Sequence, residues 1–364
     1  MALIAQGMAA AFGIQTGGFG AANINTTIEN LTGSLTLASG IVLGDASTGI
    51  AKSGITLAFA NEKREVADVP GFFTKQFATW LRDVVSKFSI TVQWAGNRHN
   101  CTATPISGDF AHDDVSTHYY PGFDALHRCA GLLGATSAGA PAPTVAWVYS
   151  PADVLPITAK VWFGTGTETI AFVIYDIVGN LTHKITGGDV VLGTFDMEGK
   201  IHSRTKAVTF PTFDFGVAAS VSAPKVESAG HSWGISSTVR SFSDATLKIT
   251  NKLTEFSDAN AEGGKTTMQE GREITLESTL FTISDNESYD LDRLASSTAT
   301  TDDVLFSVGS AALGGAPALG FQYKFNNPDH ATVEPTTIAG KSAVKAKATA
   351  TSTAGNGEFM LIYY

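Results

Sequence analysis

TLKITNKLTEFSDANAEGGKTTMQEGREITLESTLFTIS, residues 246–284, is the stretch on which the fold turns. Two runs within it, Leu247-Lys248-Ile249-Thr250 and Ile274-Thr275-Leu276-Glu277-Ser278-Thr279-Leu280, alternate apolar and polar residues. A period of two in β-branched sequence marks a strand with one wet face. The residues between the runs are polar and broken at Gly263-Gly264. They predict a hairpin loop of about twenty residues, long enough to imply a task of its own.

The rest of the chain supplies supports and edges for that hairpin. With 364 residues it has room for one to three domains, and 43% apolar content suffices for real cores. Charged residues make up only 16%, replaced by Gly, Ala, Ser and Thr. That balance suits a β protein partly covered by copies of itself. The net charge is −10, and from Leu253 to Asp303 there are twelve acidic and three basic residues, a local −9. No basic patch exists, which argues against tight nucleic-acid binding. MALIAQGMAAAFG lacks the basic start of a signal peptide, and no run of eighteen apolar residues is present. With two cysteines, Cys101 and Cys129, the chain reads as one made in a reducing cytosol, where a disulfide is disfavoured.

In chain order, residues 1–54 read as an extended N-terminal arm with one or two strands, of a kind that lies on a neighbouring subunit. Strands are expected at Ile55–Asn61, Phe88–Trp94 and 106–110, with a helix over Phe73–Val85 from the spacing of Phe73, Phe77, Trp80, Leu81, Val84 and Val85. A second helix is expected in FDALHRCAGLL (123–133), closed by Gly134, followed by a small-residue loop over Ala135–Pro143. Strands follow at 145–149, 157–163, 169–178 and 190–197, with turns at Val178-Gly179-Asn180 and Gly187-Gly188-Asp189. After Phe210-Pro211-Thr212 the pattern restarts, with strands near 214–222 and 235–240, then the hairpin. A short helix at Tyr289–Ala295 and strands at 304–308, 318–325, 341–351 and 358–364 complete the chain. FSITVQW, a loop, ISGDF and a Tyr120-led helix parallel TLKITN, the long loop, ITLESTLF and a Tyr289-led helix. IAFVIY (170–175) parallels ALGFQY (318–323). The two halves therefore read as a duplicated fold: arm 1–54, first module 55–212, second module 213–364.

Catalytic candidates are thin. Gly230-His231-Ser232-Trp233-Gly234 matches the G-x-S-x-G nucleophile elbow, but no amphipathic helix follows it, so a Gly-bounded turn is expected. His99, Cys101, His112, His118, His127 and Cys129 fall in one third of the chain without zinc-type spacing, and Cys129 fits the apolar face of a short helix. Gly164-Thr165-Gly166-Thr167 lacks the lysine of a phosphate loop. Asp113-Asp114 and Asp302-Asp303 read as loop or cap residues rather than a glycosidase pair. No catalytic residue, metal or cofactor is expected.

Three stretches carry a resemblance. They are AAAFGIQTGGFGA near the start, the central IAFVIYDIVGNLTHKITGGDVVLGTFDMEGKI followed by Pro211, and the strand with Asn251, its long loop and the returning strand with Arg272, Ile274 and Thr275. In order and spacing the chain resembles the major tail tube proteins of long-tailed, siphovirus-type bacteriophages, of the two-domain kind. The resemblance implies a mainly β fold of two tandem β-sandwich or barrel modules, each with a flanking helix and a long hairpin loop. It implies stacked rings, trimeric and pseudo-hexameric, in which every module adds strands to one inner barrel. It implies a virion location, self-association, a tape-measure protein in the lumen, and tail terminator and distal tail proteins at the ends. DNA would pass through without tight binding. On that footing the hairpin loop Glu255–Glu273 and the N-terminal arm would bridge rings. The contacts expected are Glu255, Asp258, Glu262, Lys265, Glu270 and Arg272, and Glu277, Asp285 and Glu287 would face an acidic lumen. A baseplate ring protein of the same fold, an exported β-sandwich adhesin and a hydrolase using Ser232 are the alternatives.

Overall fold

The computed structural model describes residues 7–32, 34–36, 55–60, 63–66, 76–79, 85–93, 121–137, 146–164, 168–187, 191–214, 232–235, 238–239, 242–257, 265–281, 304–308, 321–325, 329–351 and 358–363. Among these residues the protein is mainly β. β1 (Gly7–Ile14) leads to a short helix α1 (Thr26–Glu29), β2 (Ser34–Thr36), β3 (Ile55–Ala60), β4 (Lys63–Val66), β5 (Gln76–Thr79) and β6 (Val85–Gln93). Helix α2 (Pro121–Cys129) precedes β7 (Leu132–Ser137), β8 (Ala146–Pro151) and β9 (Ile157–Gly164). Two long strands follow, β10 (Thr169–Thr186) and β11 (Leu192–Val208), then the short β12 (Thr212–Asp214), β13 (Ser232–Ile235) and β14 (Thr238–Val239). The opening stretch forms β15 (Phe242–Ser257) and β16 (Lys265–Phe281). The chain ends with β17 (Val304–Val308), β18 (Phe321–Phe325), β19 (Asp329–Ile338), β20 (Lys341–Thr349) and β21 (Phe359–Tyr363).

The largest sheet runs β19-β20-β16-β15-β10-β11-β6-β3, with β9 and β1 attached to the first half of β10. Every neighbouring pair along that eight-strand path is antiparallel. Four strands from each side of residue 212 appear in the same spatial order. In the first half, chain order β3, β6, β10, β11 becomes 10-11-6-3; in the second, β15, β16, β19, β20 becomes 19-20-16-15. A second sheet, β14-β13-β17-β18-β21-β8-β7, likewise mixes strands from both halves.

Alternation decides which face of the large sheet is buried. Leu181, His183 and Ile185 on β10, Phe195 on β11, Leu247 and Ile249 on β15, and Ile274 and Leu276 on β16 point into one core. That core also takes Leu126 and Cys129 from α2, Tyr149 from β8, Tyr323 and Phe325 from β18, and Phe359 and Leu361 from β21. Removing such side chains from water contributes roughly 1.5–3 kcal/mol each, which is what holds the two sheets together.

Several expectations from sequence are corrected here. Where the span Phe73–Val85 is described it is strand, not the expected helix: Gln76–Thr79 forms β5, paired with β4, and Val85 opens β6, so strand pairing overrides an accidental helical spacing. Helix α2 stops at Cys129 rather than before Gly134. Gly131, with φ of 79°, supplies the left-handed turn, and Leu132–Ser137 is a strand where a helix end and a loop were expected. Val178-Gly179-Asn180 is not a turn. β10 runs through it with register shifts nearby, and glycine is needed because β11 passes close: a Cβ at Gly179 would collide with the Asp196 carbonyl and meet Met197 Cγ at 2.7 Å. Phe321–Tyr323 does not correspond to Ile170–Tyr175, since the first lies in the smaller sheet and the second in the larger; likewise β6 holds the place of β16, not of β15. β19 is an element missed in sequence, joined to β20 by the two-residue turn Ala339-Gly340, both with positive φ. The strand at 106–110 and the helix at 289–295 lie outside the described residues.

The N-terminal arm, in its described part, pairs and packs within its own chain. Ala9, Ala10, Ala11 and Phe12 are buried, and β1 pairs along its length with β9. Beyond β1, Gln15 Nε2 donates to Asp176 Oδ1 (3.1 Å), the Asp176 N–H donates to Gln15 Oε1 (2.7 Å), and the Gly20 N–H donates to Asp176 Oδ1 (2.7 Å). Asn25 caps α1 by accepting from the Thr27 and Ile28 N–H groups. Small side chains at 9 and 11 let the strand pack against Trp162 and Ala171.

Candidate functional site

Two surfaces stand out: the solvent face of the large sheet and the free part of the β15–β16 hairpin. The first is assembled by register. Thr349, Thr275, Lys248, Thr182, Thr194 and Thr91 follow one another across β20, β16, β15, β10, β11 and β6. Thr91 and Thr194 share a hydroxyl–hydroxyl hydrogen bond of 3.0 Å. Threonine suits both demands, its β-branch favouring the strand and its hydroxyl the water. Charges interleave with the threonines. Lys248 lies 3.7 Å from Glu277 and Lys87 lies 3.6 Å from Glu198, while Glu277 is also directly opposite Lys347, and Glu334 opposite Lys345. Glu277 is therefore exposed on this face as part of a mixed pattern, not an acidic one. Asp285 and Glu287, expected beside it, lie outside the described residues.

The hairpin differs from its expectation. Most of the stretch read as a loop is strand. Ser257 pairs with Lys265, leaving 258–264 for the connection, so Glu255, Lys265, Arg272 and Glu273 are ladder residues, Glu270 sits at the register shift between Gln269 and Gly271, and only Asp258 and Glu262 fall in the undescribed connection. β15 pairs with β10 only as far as Ile249, and β16 with β20 only from Thr275. Beyond those points the two strands pair with each other alone, a ribbon of eight residues on β15, reaching about 26 Å at the usual strand rise. Glu255 and Glu270 are exposed on it. So are Phe256 (42%) and Met268 (58%), which the register places diagonally on one ribbon face.

The ribbon base is tied down. Asn251 Nδ2 donates to the Ala130 carbonyl (3.0 Å) and the Gly179 carbonyl (2.8 Å), and Asn251 Oδ1 accepts from Gln269 Nε2 (3.0 Å). Gln269 Oε1 accepts from the Val154 N–H at 2.9 Å. Arg272, expected to contact another ring, instead donates to the Ala152 carbonyl (2.8 Å) and to Glu358 Oε1 (2.7 Å), with both partners of the ion pair mostly buried. Its role is to anchor the ribbon. Asn251 and Gln269 were not among the site residues expected from sequence. The one available signal was an asparagine amid β-branched residues, where strands rarely place one without a local reason.

Ser232 is the first residue of β13, paired in a ladder with Ser307; it lies neither on an elbow nor in the turn expected for it. Cys129 is a free, fully buried thiol whose pKa burial pushes far up, as suits a core residue. His127 stacks on Tyr149 at 4.1 Å, and His183 Nδ1 and the Tyr323 hydroxyl share a hydrogen bond of 2.5 Å between the two sheets. His99, Cys101, His112 and His118 lie outside the described residues. Among the described residues no cluster of metal-ligating side chains occurs, and no helix is long and apolar enough to cross a membrane. Neither a protein-family model nor a curated protein matches the chain.

Proposed function

We propose that the protein is a structural subunit of a bacteriophage tail tube, polymerising as stacked rings around a conduit through which DNA leaves the particle. The observation that carries this reading is the pair of ends of the eight-strand path. Among the described residues β3 and β19 are its edge strands, and because every step between them is antiparallel they run in opposite directions. One copy's β19 set beside the next copy's β3 continues the alternation unbroken. That is a heterologous contact, able to close into a ring. β3 reads ITLAFA, without a charge, whereas β19 carries Pro335 in the manner of an edge. An uncharged edge strand is a liability in a lone subunit and a joint in a ring.

The repeated four-strand order on either side of residue 212 supports the two-module arrangement. Three copies would place six four-strand units around the ring, a pseudo-sixfold barrel. The polar face of the sheet would line the conduit, with a tape-measure protein inside it before ejection. The β15–β16 ribbon would reach the adjacent ring through Glu255, Phe256, Met268 and Glu270. Terminator and distal tail proteins would close the ends, and the working location would be the virion. The role requires no catalysis and no cofactor.

Negative-stain microscopy of the purified full-length protein tests this directly. Hollow tubes of constant width are expected. Single rings would favour a baseplate role for the same fold, and a population of monomers at high concentration would overturn the proposal.

A further inference from the structure

On the reading that the polar face lines the conduit, the next question is why a duplex would slide along it rather than stick. We infer that the face is charge-compensated by strand register, with Glu198 and Glu277 acting as built-in counter-ions that keep Lys87 and Lys248 from holding nucleic-acid phosphates. The sequence alone suggests repulsion by an excess of acid, but the sheet presents something else. Lys87 and Glu198 face each other on β6 and β11, and Lys248 and Glu277 sit diagonally on β15 and β16. Each of the four side chains is about half exposed or more, at 68% and 51% in the first pair and 46% and 48% in the second. They are open to solvent and to any passing polymer.

Lysines at such positions would ordinarily gather phosphates and release counter-ions. A carboxylate within 4 Å, well inside the screening length of about 8 Å, cancels most of the field a phosphate would feel. Such an exposed pair adds little to stability, so its value lies in what it prevents. The remaining side chains in the central row are the threonines at 91, 182, 194 and 275, which carry no charge; Thr275 is buried, and Thr91 and Thr194 bond each other. A face of this kind neither binds a polyanion nor expels it strongly, which suits passage in one direction under an external force.

The test is fluorescence anisotropy of a short labelled DNA duplex in low salt, using the full-length protein. The wild type is expected to bind weakly. E198Q/E277Q should bind about tenfold tighter, with a salt slope steeper by about 2, one unit for each unmasked lysine. E277K alone should also bind more tightly, and K248E/E277K, which restores the pair in reverse with the wild-type net charge, should return to the wild-type level. Equal binding by wild type and E198Q/E277Q would overturn the inference, and so would a reversed pair that binds like E277K. Circular dichroism of each variant verifies folding, and the reversed pair keeps the test decisive if one substitution proves disruptive. Microscopy of the same preparations separates the two ideas. Tubes with unchanged DNA binding sink only the charge-compensation inference, whereas tighter binding in preparations that never form tubes sinks the conduit reading and leaves the lysine masking intact.

Discussion

Replacing Asn251 with alanine removes the side chain that ties the free ribbon to the body of the protein. Asn251 is 7% exposed and makes three side-chain hydrogen bonds, two to carbonyls of separate segments (Ala130 and Gly179) and one from Gln269. Each such bond contributes about 1 kcal/mol net, and the stranded buried partners add to the loss, so a destabilisation of about 3 kcal/mol is expected. For a chain of this size that corresponds to a fall of about 6 °C in Tm, at about 2 °C per kcal/mol. Urea and thermal unfolding of wild type and N251A at matched concentration measure it, matching being necessary because self-association raises apparent stability. Q269A should cost less in the N251A background than alone, because the two side chains share a bond. N251A within 1 kcal/mol of wild type, or strictly additive effects of the two substitutions, would refute the anchoring account.

Acid should loosen the core. Burial holds the His183 pKa well below the usual value, with the neighbouring His127 contributing less, so the ring is neutral when folded. The unfolded chain takes up a proton below about pH 6.5, and stability should therefore decline as pH falls through that value, by up to about 1.4 kcal/mol per unit. Urea midpoints from pH 7.5 to 5 record this, and H183Q should flatten the slope. G179A should destabilise by about 1–3 kcal/mol, since its new methyl group meets the β11 backbone and Met197, whereas G271A, with open space around it, should change little; thermal unfolding distinguishes them. F256S/M268S should leave Tm within about 1 °C of wild type, both side chains being exposed, yet abolish tubes in negative-stain images; normal tubes from that variant would remove the ribbon face from the assembly contact.

The residues that read most plainly from sequence were those with a local reason for their shape. Alternation at 247–250 and 274–280 placed both strands of the hairpin, and 88–93, 157–163 and 341–349 were legible in the same way. Lengths were not. The polar stretch 251–257 and its return 265–273 carry no apolar alternation because the ribbon has no core to face, so ladder bonds alone make them strands. Phe73, Phe77 and Trp80 imitated a helix because aromatic spacing over two turns says nothing about whether a partner strand waits at 63–66. Arg272 looked like a surface charge and proved an anchor, since its acceptors, Ala152 and Glu358, lie 120 and 86 residues away in sequence.

The sequence by itself determined that this is a β protein of low charge, with a long hairpin at its centre. It could do so because period, turn chemistry and composition act over a few residues at a time. Only the tertiary structure decided that four strands from each half join in one path ending on oppositely directed edges. It also decided that lysines and carboxylates meet across strands, and that β1 is stitched into the large sheet through β9. Those outcomes depend on which strands pair, and pairing is settled by the burial of one shared core, a free energy that no short window of sequence contains.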